Sequence, residues 1–342
     1  MTTGANILGK KDSSRWEVYE QSLSKEEIAE LKSVALSAKA KSTVQNYQRG
    51  FRRFREWAEK RNKSFMPAKP EIVALYLCTL VKRNLSFSSI LTAFCSISWQ
   101  HTFEGFRDPM VDCICKSILE SAKRTCKSHS GKKPLKPLQL NCIIEHLSCL
   151  NTVQAIRDKC WILVAYSCCL RNSELRNLKI GDVKLSHKNE LSAISIRRSK
   201  TDIYGAGNIM PLQFSGKITC PLSAVRQLLS ILCAGSVNGH ENEPLFQTLC
   251  KHKDGKLWFS GKPLSYSTYR TLFKSYLKQV GISPEKLSLH SLRKGSATLA
   301  AQSGVPNDLV KVYGRWSTEA SKDRYVNYSL KQKVSVVKTL NL

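Results

Sequence analysis

A chain of 342 residues, 42% of them hydrophobic, has material for about two domains, each with a buried core. Its 54 Lys+Arg against 26 Asp+Glu give a formal net charge of +28, which points to a polyanionic partner, nucleic acid ahead of an anionic membrane. The longest apolar run, Cys160 to Leu170, is too short for a bilayer span of roughly 20 residues, and the opening Met-Thr-Thr-Gly-Ala-Asn has no basic-then-apolar signal pattern.

Residues 1–23 are polar and read as a flexible lead-in. Ser24-Lys-Glu-Glu27 is a capping-box pattern that predicts a helix to about Ala38. Ser42 or Thr43 is positioned to cap the next helix, whose apolar residues Val44, Tyr47, Phe51, Phe54 and Ala58 step by three and four. Arg49, Arg52, Arg53 and Arg55 lie mostly off that stripe. A solvated face is the plain reading; with so few acids to balance them, contact with a DNA backbone is preferred. Pro70 starts a third helix at a favoured first position, Leu85 to His101 gives a fourth, and Asp108-Pro109 is read as the cap of a fifth carrying Val111, Ile114 and Ile118. No strand pattern interrupts this helical domain, placed at 24–124.

Thirteen cysteines, an odd and scattered set without Cys-x-x-Cys, suit reduced thiols in a cytosolic or nuclear protein better than a disulfide framework. Cys113, Cys115, Cys126 and His129 match no common zinc-finger spacing, and Cys113 and Cys115 would lie on opposed faces of a helix. Lys123 to Pro137 is basic, polar and broken by Gly and Pro, which predicts a linker over 125–137. Lys132 and Lys133 there are candidate phosphate contacts, and the segment also has the composition of a nuclear localisation signal.

A second domain is expected over 138–328. Helical patterns cover Leu138 to Leu147 and Val153 to Leu170, and Arg171-Asn-Ser-Glu-Leu175 opens a short helix. Leu191 to Arg197 alternates like a strand, Asn208 to Gln213 suits its partner, and Ser199-Lys200-Thr lies in the hairpin loop between them. Helices are then expected at about 221–233, 265–280, 289–303, 306–313 and 317–328. In the tail, 329–342, Leu330, Val334, Val337 and Leu340 recur at helical spacing, to pack on their own domain or to dock on a neighbouring subunit. The chain has no internal repeat, Gly-rich phosphate loop, Ser/His/Asp elbow or acidic metal cluster.

His290-Ser-Leu-Arg293 places two polar groups three residues apart, on one face of a helix. Gly314-Arg-Trp316 and Lys322-Asp-Arg-Tyr325 follow, with Tyr325 nine residues past Trp316. Arg, His, an indole and Tyr are groups that can surround one DNA phosphate.

Five places, in this order, resemble the boxes of the phage-integrase family of tyrosine recombinases: Arg171-Asn-Ser-Glu-Leu175, Ser199-Lys200-Thr, His290-Ser-Leu-Arg293, Gly314-Arg-Trp316 and Tyr325. Gly314-Arg-Trp316 and Ala320-Ser-Lys-Asp-Arg-Tyr-Val326 are further similar to recombinases of DIRS-like or Ngaro-type animal retrotransposons. The resemblance implies a mainly α fold with a small β-sheet. An all-helical, SAM-like core-binding domain would precede a mixed α+β catalytic domain, the two clamping duplex DNA. It implies that Tyr325 cuts one strand through a 3′-phosphotyrosyl link. Arg171 and Arg293 would hold the phosphate, His290 would assist the nucleophile, Lys200 would protonate the leaving 5′-oxygen, and Trp316 would donate an indole hydrogen bond. Glu174 would position the first box. No metal, ATP, small-molecule substrate or membrane is implied. A homo-tetramer on two DNA sites, with tails exchanged between protomers, is.

Each residue also has an ordinary reading. Arg171 and Glu174 make a helix-capping ion pair, Trp316 and His290 are core, and Arg293 and Lys200 are solvated. Tyr313 and Tyr328 compete with Tyr325 for the nucleophile's role. A type IB topoisomerase and a non-catalytic DNA-binding protein derived from a transposon are the rival functions.

Overall fold

The computed structural model describes residues 13–126, 131–186, 191–199, 202, 205–233, 239–251, 255 and 257–326. The chain divides into two units, Met1–Ser130 and Gly131–Leu342. Lys200, His129, Tyr328 and the tail 329–342 lie outside the described residues, as does 1–12 of the expected lead-in.

The first unit is helical: α1 (Arg15–Tyr19), α2 (Lys25–Ser37), α3 (Lys41–Glu59), α4 (Pro70–Lys82), α5 (Phe87–Glu104) and α6 (Cys113–Thr125). Local chemistry sets most of the boundaries. Ser24 and Glu27 form the expected reciprocal capping box, and Ser14 with Glu17 forms another. That second box starts a helix inside the stretch read as a flexible lead-in, held by the buried Trp16. The start of α3 differs from expectation: Ala40, not Ser42 or Thr43, is the N-cap, and it offers no side-chain bond. Asp108 caps only a single 3-10 turn, Pro109–Val111, while Asp112 caps α6 with bonds to the amides of Ile114 and Cys115. Phe54, Ala58, Val73, Leu77, Ile90 and Ile97 build this unit's core. Arg49, Arg52 and Arg53 are exposed, on the side of α3 away from it.

The second unit contains α7 (Pro137–Leu150), α8 (Val153–Ser167), α9 (Asn172–Arg176), β1 (Val183–Lys184), β2 (Leu191–Ile196), β3 (Asn208–Gln213), α10 (Pro221–Leu232), β4 (Gln247–Lys251), β5 (Leu257–Pro263), α11 (Tyr266–Gln279), α12 (His290–Gln302), α13 (Asn307–Gly314) and α14 (Glu319–Asp323). The antiparallel sheet β1-β2-β3 pairs Ile194 with Met210 and Ile196 with Asn208, which turns Ile194, Ile196 and Met210 into the core. The pair β4-β5 is an antiparallel element without a counterpart among the sequence expectations.

The apolar helix α8 runs through this core and packs against α7, α10 and α12. It is buried almost from end to end. Its one buried acid, Asp158, is satisfied by Arg157 Nε at 2.8 Å, Trp161 Nε1 at 2.9 Å and the Tyr276 hydroxyl at 2.5 Å. Arg157 in turn donates to the Gln247 carbonyl at 3.0 Å, anchoring the start of β4. Among the described residues no helix is long and apolar enough to cross a membrane.

The stretch read as linker is partly bound. The amides of Lys133 and Leu135 donate to the carbonyls of Lys286 and Ser291 at 2.8 and 2.9 Å. Lys132 Nζ donates to the Glu285 carbonyl at 2.7 Å. Gly295 on α12 makes room for this segment: a Cβ there would lie 2.2 Å from the Leu135 carbonyl oxygen.

Candidate active site

Four pieces of the second unit converge. Helix α8 ends at Ser167, and Cys169 turns the chain with a left-handed φ of 48°. Arg171 is therefore the N-cap of α9. Its backbone N–H and its Nη1 both donate to Glu174, at 2.8 and 2.7 Å, and its Nη2 donates to the Arg315 carbonyl at 3.1 Å.

Helix α12 presents His290 at its first position and Arg293 one turn on. Arg293 is fully buried. Its two Nη atoms donate to the carbonyls of Cys169 and Gly314, and its Nε has no partner among the described residues. Burial pulls its pKa down, from so high an ordinary value that the guanidinium stays charged.

At the end of α13 the chain reverses at Arg315, and Trp316 folds back over Gly314. A Cβ on Gly314 would lie 1.7 Å from the indole, so only glycine leaves space for the ring. Trp316 is buried, and its Nε1–H has no acceptor among the described residues. The ring stands 4.7 Å from the Arg293 guanidinium and 5.0 Å from the Tyr325 ring. Such a cation–ring contact favours the charge.

Tyr325 follows the short helix α14. Its amide donates to the Lys322 carbonyl at 2.8 Å, and its own carbonyl accepts from Thr298 Oγ1 on α12 at 3.0 Å. The hydroxyl meets His290 Nε2 at 2.8 Å. Burial, then the charges of Arg293, Arg171 and Lys294, hold the His290 pKa below its ordinary value. The imidazole is thus neutral near pH 7 and able to accept a proton. Glu174 is nearly fully buried. Burial raises its pKa, but Arg315 and Arg171 outweigh that and leave it lowered, hence ionised.

The structure therefore brings Arg171, Glu174, His290, Arg293, Trp316 and Tyr325 together. It places Arg49, Arg52 and Arg53 in the other unit and Lys132 and Lys133 on the irregular segment beside the start of α12. Tyr313 is occupied elsewhere: its buried hydroxyl donates to the Ser167 carbonyl, and burial raises its pKa. Lys200 is outside the described residues. Its neighbour Ser199, with Asp202, Gly207, Arg315 and Trp316, lines a cavity of about 330 Å³. Asp202 shapes that loop by accepting from the amides of Ala206 and Gly207 at 2.9 and 2.8 Å.

Sequence reasoning gave no role to three features. Arg315 bonds Glu174 at 2.8 Å across 141 residues. Thr298 ties α12 to the Tyr325 backbone. Arg270, Lys274 and Lys278, spaced by four along α11, line a groove of about 500 Å³ with Ser267, Thr271 and Ser275. That last signal was available as cations at helical spacing without an intervening acid.

The "Phage integrase family" model matches residues 133–332, and "Phage integrase, N-terminal SAM-like domain" matches 33–98. An integrase/recombinase xerD homolog of Selenomonas ruminantium is 22% identical over 293 residues, 84% of this chain and 82% of that protein. Among solved structures, XerH site-specific recombinase bound to palindromic difH substrate in a post-cleavage complex aligns with a TM-score of 0.65 at 16% identity, covering 94% of this chain and 86% of that one. The Tn1549 transposon integrase in complex with transposon right end DNA aligns with a TM-score of 0.56 at 14% identity, covering 88% and 99%. A lambda integrase dimer bound to a COC′ core site gives 0.52 at 14%, covering 87% and 75%.

Proposed function

The chain belongs to the phage integrase family and is a tyrosine recombinase, a DNA strand-transferring enzyme, and from that premise we propose the reaction and the residues that carry it. Tyr325 attacks a phosphodiester phosphorus. The P–O5′ bond breaks, leaving a 3′-phosphotyrosyl link and a 5′-hydroxyl. A 5′-hydroxyl of the partner duplex reverses the step and reseals the strand. The covalent link conserves the bond energy, so this scheme draws on neither metal nor ATP.

The observation that carries this reading is the 2.8 Å bond between the Tyr325 hydroxyl and His290, beside Arg293 and Trp316. A free tyrosine has a pKa near ~10 and needs an acceptor for its proton; His290 provides one. Arg171 and Arg293 balance the charge that builds on the phosphorane. Among the described residues, the Arg293 Nε–H and Trp316 Nε1–H are buried donors without partners, the state expected of groups awaiting an anionic acceptor. Lys200 remains the proposed donor to the leaving oxygen, on the strength of the family pattern.

Further readings rest on less. The exposed arginines of α3 and the basic face of α11 support contact with duplex DNA outside the reacting phosphate. The SAM-like match favours a recombinase over a type IB topoisomerase. A tetramer on two sites, with tails exchanged, follows from family resemblance. Origin in a DIRS-like or Ngaro-type element rests on the Gly-Arg-Trp box. A nuclear location draws support from the basic segment Lys123 to Pro137 and from thirteen free cysteines.

The test is a suicide duplex, nicked so that the leaving strand diffuses away, incubated in EDTA with wild-type protein and with Tyr325→Phe. Element-end DNA and pooled random sequences serve as substrates. A denaturation-resistant protein–DNA band with wild type alone is the expected result. A band that persists with Tyr325→Phe removes the nucleophile assignment.

A further inference from the structure

We propose that Arg315 is the dedicated counterion of Glu174, a positioning residue that leaves Arg171 and Arg293 their full charge for the scissile phosphate. The inference rests on the reaction proposed above and adds a residue to it. Arg315 takes a left-handed φ of 55°, uncommon for a non-glycine residue, and this turn sends its side chain into the domain. There it is 9% exposed. Its Nη2 donates to Glu174 Oε2 at 2.8 Å and to the Cys169 carbonyl at 3.0 Å. Its Nη1 reaches the Cys168 carbonyl at 3.3 Å, the Tyr313 carbonyl at 3.2 Å and Met210 Sδ at 2.9 Å. One guanidinium thus joins the turn after α8, the first box, α13 and strand β3 of the hairpin whose loop carries Lys200.

The geometry of competition gives the role its content. The Glu174 carboxylate has three guanidiniums within reach: Arg171 at 2.7 Å, Arg315 at 2.8 Å and Arg293 at 3.8 Å. Of these, Arg171 and Arg293 are the proposed phosphate ligands. If Arg315 were removed, the carboxylate's remaining cationic partners among the described residues would be those two, and the phosphate would have to compete with a fixed anion for them. With Arg315 present, three guanidiniums and one carboxylate leave two net positive charges, matching a phosphorane dianion. Without it, one remains. In a buried site such charge placement is effective because little solvent screens it.

The competing account is that Arg315 only staples backbone carbonyls together. A mutant cycle separates the two, using Arg315→Met, Glu174→Gln and the double variant in the full-length protein. On the suicide duplex, Arg315→Met is expected to slow covalent-complex formation about a hundredfold with DNA Kd within about threefold of wild type. Adding Glu174→Gln should recover about tenfold of that loss, because the competing carboxylate is gone. A double variant as slow as Arg315→Met, or slower, overturns the proposal.

Arg315→Lys, which keeps the charge with fewer donors, should stay within about tenfold of wild type; a staple would fail as badly with Lys as with Met. If Arg315→Met does not fold, Arg315→Gln, which is also uncharged, replaces it in both arms. A second arm uses no DNA. The melting-temperature loss caused by Glu174→Gln should at least halve when Arg315 is already Met; an equal loss in both backgrounds overturns the counterion role. Wild-type protein that forms no covalent complex on element-end DNA would count against the recombinase reading, while the melting cycle would still decide the role of Arg315.

Discussion

Trp316→Phe separates the indole's hydrogen bond from its packing. The indole is buried, with its Nε1–H unpartnered among the described residues, and a phenyl ring can keep most of the contact with Tyr325 at 5.0 Å and with Arg293 at 4.7 Å. An unsatisfied buried donor costs about 1–3 kcal/mol, and the substitution removes that penalty. It also leaves a void of roughly 40 Å³, worth about 1 kcal/mol at about 24 cal/mol per Å³. The two offset, so the folded protein should be unchanged or up to about 2 kcal/mol more stable, a melting shift of about 0 to +8 °C for a domain this size. Activity should move the other way. If the N–H serves the reacting phosphate, its loss removes one preorganised donor and slows cleavage about 10²–10³-fold. Melting curves and single-turnover covalent-complex formation on a suicide duplex, run on the same preparations, test both halves. Cleavage within threefold of wild type refutes the donor role. A melting temperature more than about 5 °C below wild type would mean that the ring's packing dominates and the orphan donor is not a liability.

The pH dependence of cleavage follows from His290. Its pKa lies below the ordinary value of about 6.5 because burial and the Arg293 and Arg171 charges disfavour the imidazolium, so the rate should fall only in the acid range below about pH 6.5; an acid limb above pH 7 would exclude His290 as the proton acceptor. The same depression means that the stability His290 contributes is complete above about pH 6.5 and is lost as pH falls through the lowered folded-state value, which is readable in melting temperatures. Gly295→Ala would bring a Cβ to 2.2 Å from the Leu135 carbonyl and should destabilise by about 1–3 kcal/mol while slowing cleavage through the displaced His290 helix. Gly131→Ala, which meets nothing within 4 Å, is the control, and equal behaviour of the two variants would contradict the packing account. Replacing Arg270, Lys274 and Lys278 of α11 by Ala should lower the slope of log Kd against log salt by about 0.9 per cation that contacts phosphate; an unchanged slope places α11 away from the DNA.

What could be read from the sequence was what local chemistry determines. The Ser24/Glu27 capping box needs only its own four residues, and it formed as expected. Strands β2 and β3 were legible because Ile194, Ile196 and Met210 alternate inward against one core. Strands β4 and β5 were not: Leu249-Cys250-Lys251 shows no alternation, and the element is held by Arg157 on distant α8 and by Phe259 packing on the core. The helix expected over 317–328 shrank to α14, and Thr298 Oγ1 takes up the Tyr325 carbonyl, a partner 27 residues away. Lys132 was singled out for DNA by charge alone, whereas its Nζ donates to the Glu285 carbonyl. Arg315 stood inside a quoted box without a role, since Cys168, Cys169, Glu174 and Met210, which its guanidinium meets, lie more than a hundred residues away.

The same pattern bears on how the site is held ready. Among the described residues, Arg293 is buried with its Nε unsatisfied, the Trp316 N–H is buried without an acceptor, and three guanidiniums share one carboxylate. Each is unfavourable in the free protein, and each is relieved by an anion at the same place. These groups are fixed in advance by α8, α9, α12 and the turn at Arg315, so a phosphate placed there would meet donors that need no reorganisation. It follows that the free protein is less stable than its packing alone would make it, and that DNA carrying a phosphodiester in this site should raise the melting temperature beyond what the helical unit's contacts supply. Duplexes with a neutral methylphosphonate at the scissile position should lose that increment in wild-type protein. Trp316→Phe, lacking one orphan donor, should show a smaller difference between the two duplexes.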